Sequence, residues 1–264
     1  QAWQKLELHW GRHVLSWFTR DDARSSLRVT LMAPLAPKDA DRARISIAQM
    51  RAHLAHRVTR TVIVAPENAG LRALAHDLGA DFMDEAAPLG AHLGAARAAA
   101  LSGWHKQQFL KLLAPEVTGD DNVVAIDSDT YPIRPTAFED KDGRLILMRG
   151  DCNSMPFHRF TETLIGPCPG AGTSFVAHAM LFRTKDLAVL RTAIEAHCAR
   201  PWIDAVLDAA ARPPAQVGAM SEFDLLAHVL LRDTPDRARV GYYSNIKASA
   251  ADFADLGRLP RWKR

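Results

Sequence analysis

Four apolar residues, Val123, Val124, Ala125 and Ile126, run straight into Asp127-Ser128-Asp129 within the stretch NVVAIDSDTYPIRP. Two carboxylates one residue apart repel each other unless a positive group lies between or beside them. If the strand continues through them, alternation turns Asp127 and Asp129 to one side and Ser128 to the other. That arrangement suits a hard divalent cation, Mg²⁺ or Mn²⁺, whose remaining positions go to water and substrate phosphate. A solvated turn at a strand end is the plainer alternative. Just upstream, Trp104, Gln107, Gln108 and Lys111 fall at i, i+3, i+4 and i+7, one stripe of a helix. The stripe offers amide donors and one ammonium to a phosphate, or else it is a solvated face of good helix formers. Downstream, His178 sits in the apolar run TSFVAHAMLF with Val176 and Met180 on the same strand face. That is the setting of a core histidine, yet the glycine-rich GPCPGAGTS before it can bring backbone close to a ligand. Ser221 is placed as an N-cap, putting Glu222 and Asp224 in a first helical turn. Acids there could serve as a base, or simply favour the helix dipole.

These residues need elements to hold them. LRVTLMAPL (27–35), RTVIVAP (60–66) and the strand before Asp127 read as buried strands, and DFMDE (81–85) as a short one. Between them the spacing predicts helices over 41–57, with Ile45, Ala48, Met50 and Leu54 inward, and over 69–80. A helix over 103–116 is stopped at Pro115. Further strands are predicted at 144–152, 173–184 and 238–246, and helices at 185–198, 201–211 and 221–232. Strands alternating with helices predict an α/β fold with a central, mostly parallel sheet flanked by helices, whose strand ends face a ligand crevice. No linker or repeat divides the chain, so residues 28–264 are expected to form one domain.

The 264 residues are 48% hydrophobic and 24% charged, with a formal net charge of +3. This is ordinary globular composition, long enough for a full core. The charge is too small to imply nucleic acid as a partner, though it suits an anionic small molecule as well as a membrane surface. The three cysteines, Cys152, Cys168 and Cys198, lack zinc spacing and read as reduced thiols of a cytoplasmic protein. No run reaches the length of a spanning helix and no signal peptide is visible; Gln1 in place of Met suggests a start upstream. Trp3, Trp10 and Trp17, spaced by seven, predict a docking helix within residues 1–27. It would pack on the body, on a partner chain to give a homo-oligomer, or on a membrane interface. The tail Arg258, Arg261, Trp262, Lys263, Arg264 would suit peripheral attachment to the inner face of a membrane, or is a frayed solvated end.

In order and spacing, GWHKQQFLKL, VVAIDSDTYPIRP, TSFVAHAMLF and SEFDLL resemble a family of bacterial glycosyltransferase-like proteins of the GT-A, nucleotide-sugar type. The resemblance covers roughly residues 100–232; the N-terminal third fits only by its strand–helix alternation. It implies a transferase that moves a sugar from a nucleotide-sugar donor, UDP-sugar favoured, to a glycan or lipid-linked acceptor with Mn²⁺ or Mg²⁺. Asp127 and Asp129 would form the metal-binding Asp-x-Asp, Asp129 as direct ligand and Asp127 toward the ribose or a metal-bound water. Lys111 and Gln107, with Gln108 beside them, would assist at the phosphates. Trp104 would wall the nucleotide or sugar, and His178 would act at metal, donor or acceptor. Glu222 first and Asp224 second would be the catalytic base. The late histidine that some such transferases use is absent after His228. Two rivals stay open: a HAD-like phosphatase whose nucleophile is the first Asp of the motif, and a non-catalytic nucleotide-sugar-binding protein.

Overall fold

A computed structural model describes residues 25–130, 132–150, 155–168, 174–211 and 219–243, together with Trp10. The predicted docking helix falls outside the described residues except for Trp10 and residues 25–27, and so does the basic tail.

Seven strands are described: β1 (Arg28–Pro34), β2 (Arg57–Ala65), β3 (Asp81–Asp84), β4 (Asn122–Ile126), β5 (Leu145–Arg149), β6 (Ala179–Arg183) and β7 (Ala238–Tyr242). Five of them form one sheet in the order β3-β2-β1-β4-β6. The first four run parallel and β6 is antiparallel to β4, pairing Ile126 with Ala179 and Asn122 with Arg183. Central strands lie under helices on both faces, which is why β1 and β4 are continuous apolar runs and not alternating ones. Val123, Val124, Ala125 and Ile126 are all fully buried. The chain builds outward from β1 to β3, then returns to the other side of β1 as β4. The sheet thus switches direction between β1 and β4, and in open α/β sheets the ligand crevice lies outside the carboxyl ends at such a point.

Among the described residues ten α-helices accompany the strands: α1 (Ala40–His53), α2 (Ala69–Asp77), α3 (Ala86–Leu93), α4 (Ala95–Ala100), α5 (Gly103–Leu112), α6 (Ala114–Thr118), α7 (Met155–Ile165), α8 (Thr184–Cys198), α9 (Trp202–Ala211) and α10 (Glu222–Asp233). Side-chain caps open three of them: Asn68 accepts from the Leu71 N–H, Ser102 from His105 and Ser221 from Asp224. Every residue of α10 from Glu222 to Leu230 is buried, so its polar side chains must find partners inside the protein.

Several expected elements differ in detail. Residues 103–116 are not one helix, because the chain turns at Leu113 and Pro115 falls in the first turn of α6. Proline lacks only an N–H that a first turn leaves unpaired, so it starts a helix as readily as it stops one. On α1 the buried residues are Ala43, Ser46, Ile47 and Met50, with Ala48 exposed and Ile45 partly so. The inward stripe is rotated from the expected one. β5 and β7 pair in parallel in a sheet of their own, apart from the main one.

Candidate active site

β4 ends at Ile126, so Asp127, Ser128 and Asp129 lie in a turn beyond the strand. Strand alternation therefore does not apply to them, and the two acids differ: Asp127 is partly buried, Ser128 buried and Asp129 exposed. The Asp127 N–H donates to the His178 carbonyl at 2.8 Å, one step past the last β4–β6 pair. The Thr130 N–H closes the turn on the Asp127 carbonyl at 3.3 Å. From α1 the buried Ser46 hydroxyl donates to the Thr130 carbonyl, with the Asp127 carbonyl 3.4 Å away.

Behind the turn stands a buried charge network. Lys111, only 2% exposed, places its Nζ 2.6 Å from Asp127 Oδ1 and 2.8 Å from Glu222 Oε1. The same ammonium lies 4.6 Å from the centre of the Phe223 ring, a cation–π contact. A carboxylate only accepts hydrogen bonds, so the Gln108 amide must turn its nitrogen to Glu222. In that orientation it donates to both Glu222 oxygens, at 3.0 Å to Oε1. One helical turn separates Gln108 from Lys111, which is how α5 presents both to the start of α10. Burial opposes the Lys111 charge, but Asp127 and Glu222 outweigh it and hold the ammonium's pKa above its ordinary value. Burial likewise opposes the Asp127 charge, yet Lys111 and His178 bring its carboxyl down to about 2. For Glu222 burial wins over Lys111, with Asp127 adding repulsion, and its pKa rises.

Asp224 anchors the segment that leads into β6. Its Oδ1 accepts the Phe175 N–H at 2.6 Å, and its own N–H donates to Ser221 Oγ at 3.1 Å. Burial pushes the Asp224 carboxyl up to about 7, although the Phe175 N–H favours its charge. The same segment is held from the other side. The Gly150 N–H donates to the Ser174 carbonyl at 2.8 Å, and a Cβ at Gly150 would lie 2.3 Å from the Val176 carbonyl oxygen. The Tyr243 hydroxyl donates to that same carbonyl at 3.2 Å. At the end of this pinned segment His178 adopts φ of +63°, a left-handed conformation uncommon outside glycine. Its Nδ1 lies 3.2 Å from Asp127 Oδ2 and its side chain is 33% exposed. The bond to Asp127 raises the His178 pKa against the effect of burial.

The structure therefore joins Gln108, Lys111, Asp127, His178 and Glu222 in one connected group, with Asp224 bracing it. Three expectations change. His178 is not an in-strand residue facing with Met180, because β6 begins one residue later. Lys111 does not lie on an open helix face but is enclosed between two carboxylates behind Asp127. Glu222 and Asp224, 1% and 2% exposed, are turned to internal partners and not to an open face of the protein. Trp104, 36% exposed, shares the α5 face of Gln108 and Lys111, and Gln107 is partly buried. Ser46 was not foreseen; its one signal is a hydroxyl on the inward face of an amphipathic helix. Among the described residues no three His, Cys, Asp or Glu side chains gather as a metal cage, and no helix is long and apolar enough to cross a membrane.

Comparison with known proteins gives distant likenesses. The apo structure of WbbM, a bifunctional glycosyltransferase, is 15% identical over 69% of this chain and 37% of its own, with a TM-score of 0.40. The glycosyltransferase GlyE of Streptococcus pneumoniae TIGR4 aligns at 12% identity over 82% of this chain and 45% of its own, with a TM-score of 0.39. Its apo form aligns at 10% identity, over 81% and 45%, with a TM-score of 0.38. The chain thus spans less than half the length of these proteins. No curated protein matches the sequence. Residues 28–229, well over half of the chain, match the model of a family of unknown function, DUF6492, and the chain belongs to that family.

Proposed function

We infer that the chain is a metal-dependent glycosyltransferase that moves a sugar from a nucleotide-sugar donor to a glycan or lipid-linked acceptor. One observation carries this reading: the Asp127-Ser128-Asp129 turn lies at the carboxyl end of β4, beside the switch point of the sheet, with Asp129 exposed there. A crevice at that point is where open α/β sheets take nucleotides, and the motif resemblance supports a sugar nucleotide in particular.

The oxygen donors present fit a hard cation. Among the described residues the Asp129 carboxylate meets a hydrogen-bond donor only at its neighbour Thr130 Oγ1, 3.5 Å away, which suits it to Mg²⁺ or Mn²⁺. Such ions are commonly held by one or two carboxylates, with water and substrate phosphate filling the rest. When bound, the cation would neutralise the diphosphate leaving group. Asp127 plays a different part, because both its oxygens are engaged by protein groups, the Lys111 ammonium on one side and the His178 ring on the other. The exposed ring of Trp104 offers a stacking wall for a nucleoside or sugar.

Nucleotide release from sugar nucleotides in the presence of Mn²⁺ tests the reading. Release from at least one donor is the expected result, and neither binding nor release across UDP-, GDP- and CMP-sugars would remove it.

A further inference from the structure

His178 is held in a way that a packing residue does not need. Its φ of +63° strains a non-glycine residue, and such strain persists only where surrounding contacts impose it. Those contacts come from three directions: Asp224 on Phe175, Gly150 with Tyr243 on residues 174–176, and the Asp127 N–H on the His178 carbonyl. Together they set the ring on Asp127 at the open end of β4.

Asp127 is in turn fixed by Lys111, and Lys111 by Glu222, both closed off from solvent. A carboxylate accepts only, so Nδ1 carries the hydrogen and the neutral ring presents an unprotonated Nε2. No described residue bonds Nε2, and a third of the side chain is exposed. A half-buried carboxylate, held from behind by Lys111, that fixes the tautomer of a partly open histidine is the arrangement of an acid–base pair.

We propose that His178 is the general base of the transfer step, with Asp127 as its positioning residue and the Lys111–Glu222 pair as the fixed charge behind it. The proposal rests on the glycosyl-transfer reading and replaces the acids of α10 in that role. In the step, His178 Nε2 takes the proton of the acceptor hydroxyl as its oxygen bonds to the anomeric carbon. The bond from that carbon to the donor phosphate breaks, and its electron pair leaves with the nucleotide. One displacement of this kind inverts the anomeric configuration.

The test uses the intact chain, the sugar nucleotide it turns over fastest and water as acceptor. Glycine accepts φ of +63° without strain, so His178→Gly removes the imidazole while relieving the backbone, and His178→Asn is a second variant that tolerates the same conformation. Both are expected to bind UDP with Mn²⁺ as the parent does and to release nucleotide about 10²-fold or more slowly, the scale of lost base catalysis. Added imidazole should restore part of the rate in His178→Gly but not in His178→Asn, and the freed sugar should have inverted configuration. Undiminished release in both variants, or a retained anomer, overturns the assignment while leaving glycosyl transfer standing. A parent chain that neither binds nor turns over any donor overturns the underlying reading instead.

Discussion

Replacing Lys111 by Met tests the buried network, because Met keeps the bulk of the side chain and removes only its charge. The change leaves Asp127 Oδ1 and Glu222 Oε1, at 2.6 and 2.8 Å from one nitrogen, facing each other without it. Two unit charges about 5 Å apart repel by roughly 3 kcal/mol at an effective dielectric of about 20. Breaking a buried pair by deleting one partner generally costs about 3–5 kcal/mol. Glu222 has an escape, since it can bind a proton. Holding a glutamate neutral at pH 7 against an ordinary pKa near 4.3 costs about 3.7 kcal/mol, which caps the penalty. The expected loss is therefore about 3–4 kcal/mol at pH 7, a large part of a domain's ordinary stability. Its pH dependence follows in sign. Without Lys111 the folded-state pKa of Glu222 rises further above its unfolded value, so stability is lost as pH increases and recovered as it falls, by up to about 1.4 kcal/mol per pH unit. Urea unfolding of the parent and Lys111→Met at pH 5 and pH 8 measures this. Lys111→Met with Glu222→Gln should recover most of the loss by removing one of the two charges. A loss under about 1 kcal/mol, or equal losses at both pH values, would refute a compact network centred on Lys111.

Two further outcomes follow from the same geometry. The Asp224 carboxyl, raised by burial to about 7, binds its proton more tightly folded than unfolded, so it lowers stability as pH rises from about 4 to 7. Asp224→Asn should remove up to about 4 kcal/mol of that decline, seen as a flatter difference between parent and variant unfolding curves, and an unchanged slope would count against the burial of this acid. Asp129→Ala should leave the fold intact and abolish Mn²⁺-dependent UDP binding in a calorimetric titration; an unaltered isotherm would exclude Asp129 as the metal ligand.

The sequence made the sheet legible and left much of the site hidden, for reasons that particular residues make plain. β1, β4 and the second half of β2 announce themselves because a stretch covered on both faces is largely apolar, as Val123 to Ile126 are. Ser221 was readable as a cap because the hydroxyl-before-acids pattern is local. The stretch AAPLGAHLGAARAAA hides α3 and α4, since alanine and glycine give no apolar period to follow. α7 gives little warning as well, since proline stands second in it and a stretch rich in glycine and proline, GPCPGAG, follows it. Lys111 and Glu222 were legible as candidates but not in their roles. Local spacing puts Lys111 on a stripe with Gln108, yet whether that stripe meets phosphate or protein depends on α10, more than a hundred residues later. Asp127 and Asp129 look equivalent in sequence and separate only because β4 ends at Ile126 and the turn hands one acid inward and the other outward. The left-handed backbone at His178 has no local signal at all, because it is imposed by Asp224, Gly150 and Tyr243 from three distant parts of the chain.

The most direct measurement is turnover by the intact chain of a panel of UDP-, GDP- and CMP-sugars, with Mn²⁺ and with a chelator control, following free nucleotide by chromatography. Nucleotide and free or transferred sugar are expected in equal amounts from at least one donor, with release stopping when the metal is removed. Intact donors with no detectable binding, or inorganic phosphate released from simple esters in their place, would contradict glycosyl transfer at the Asp127–Asp129 turn.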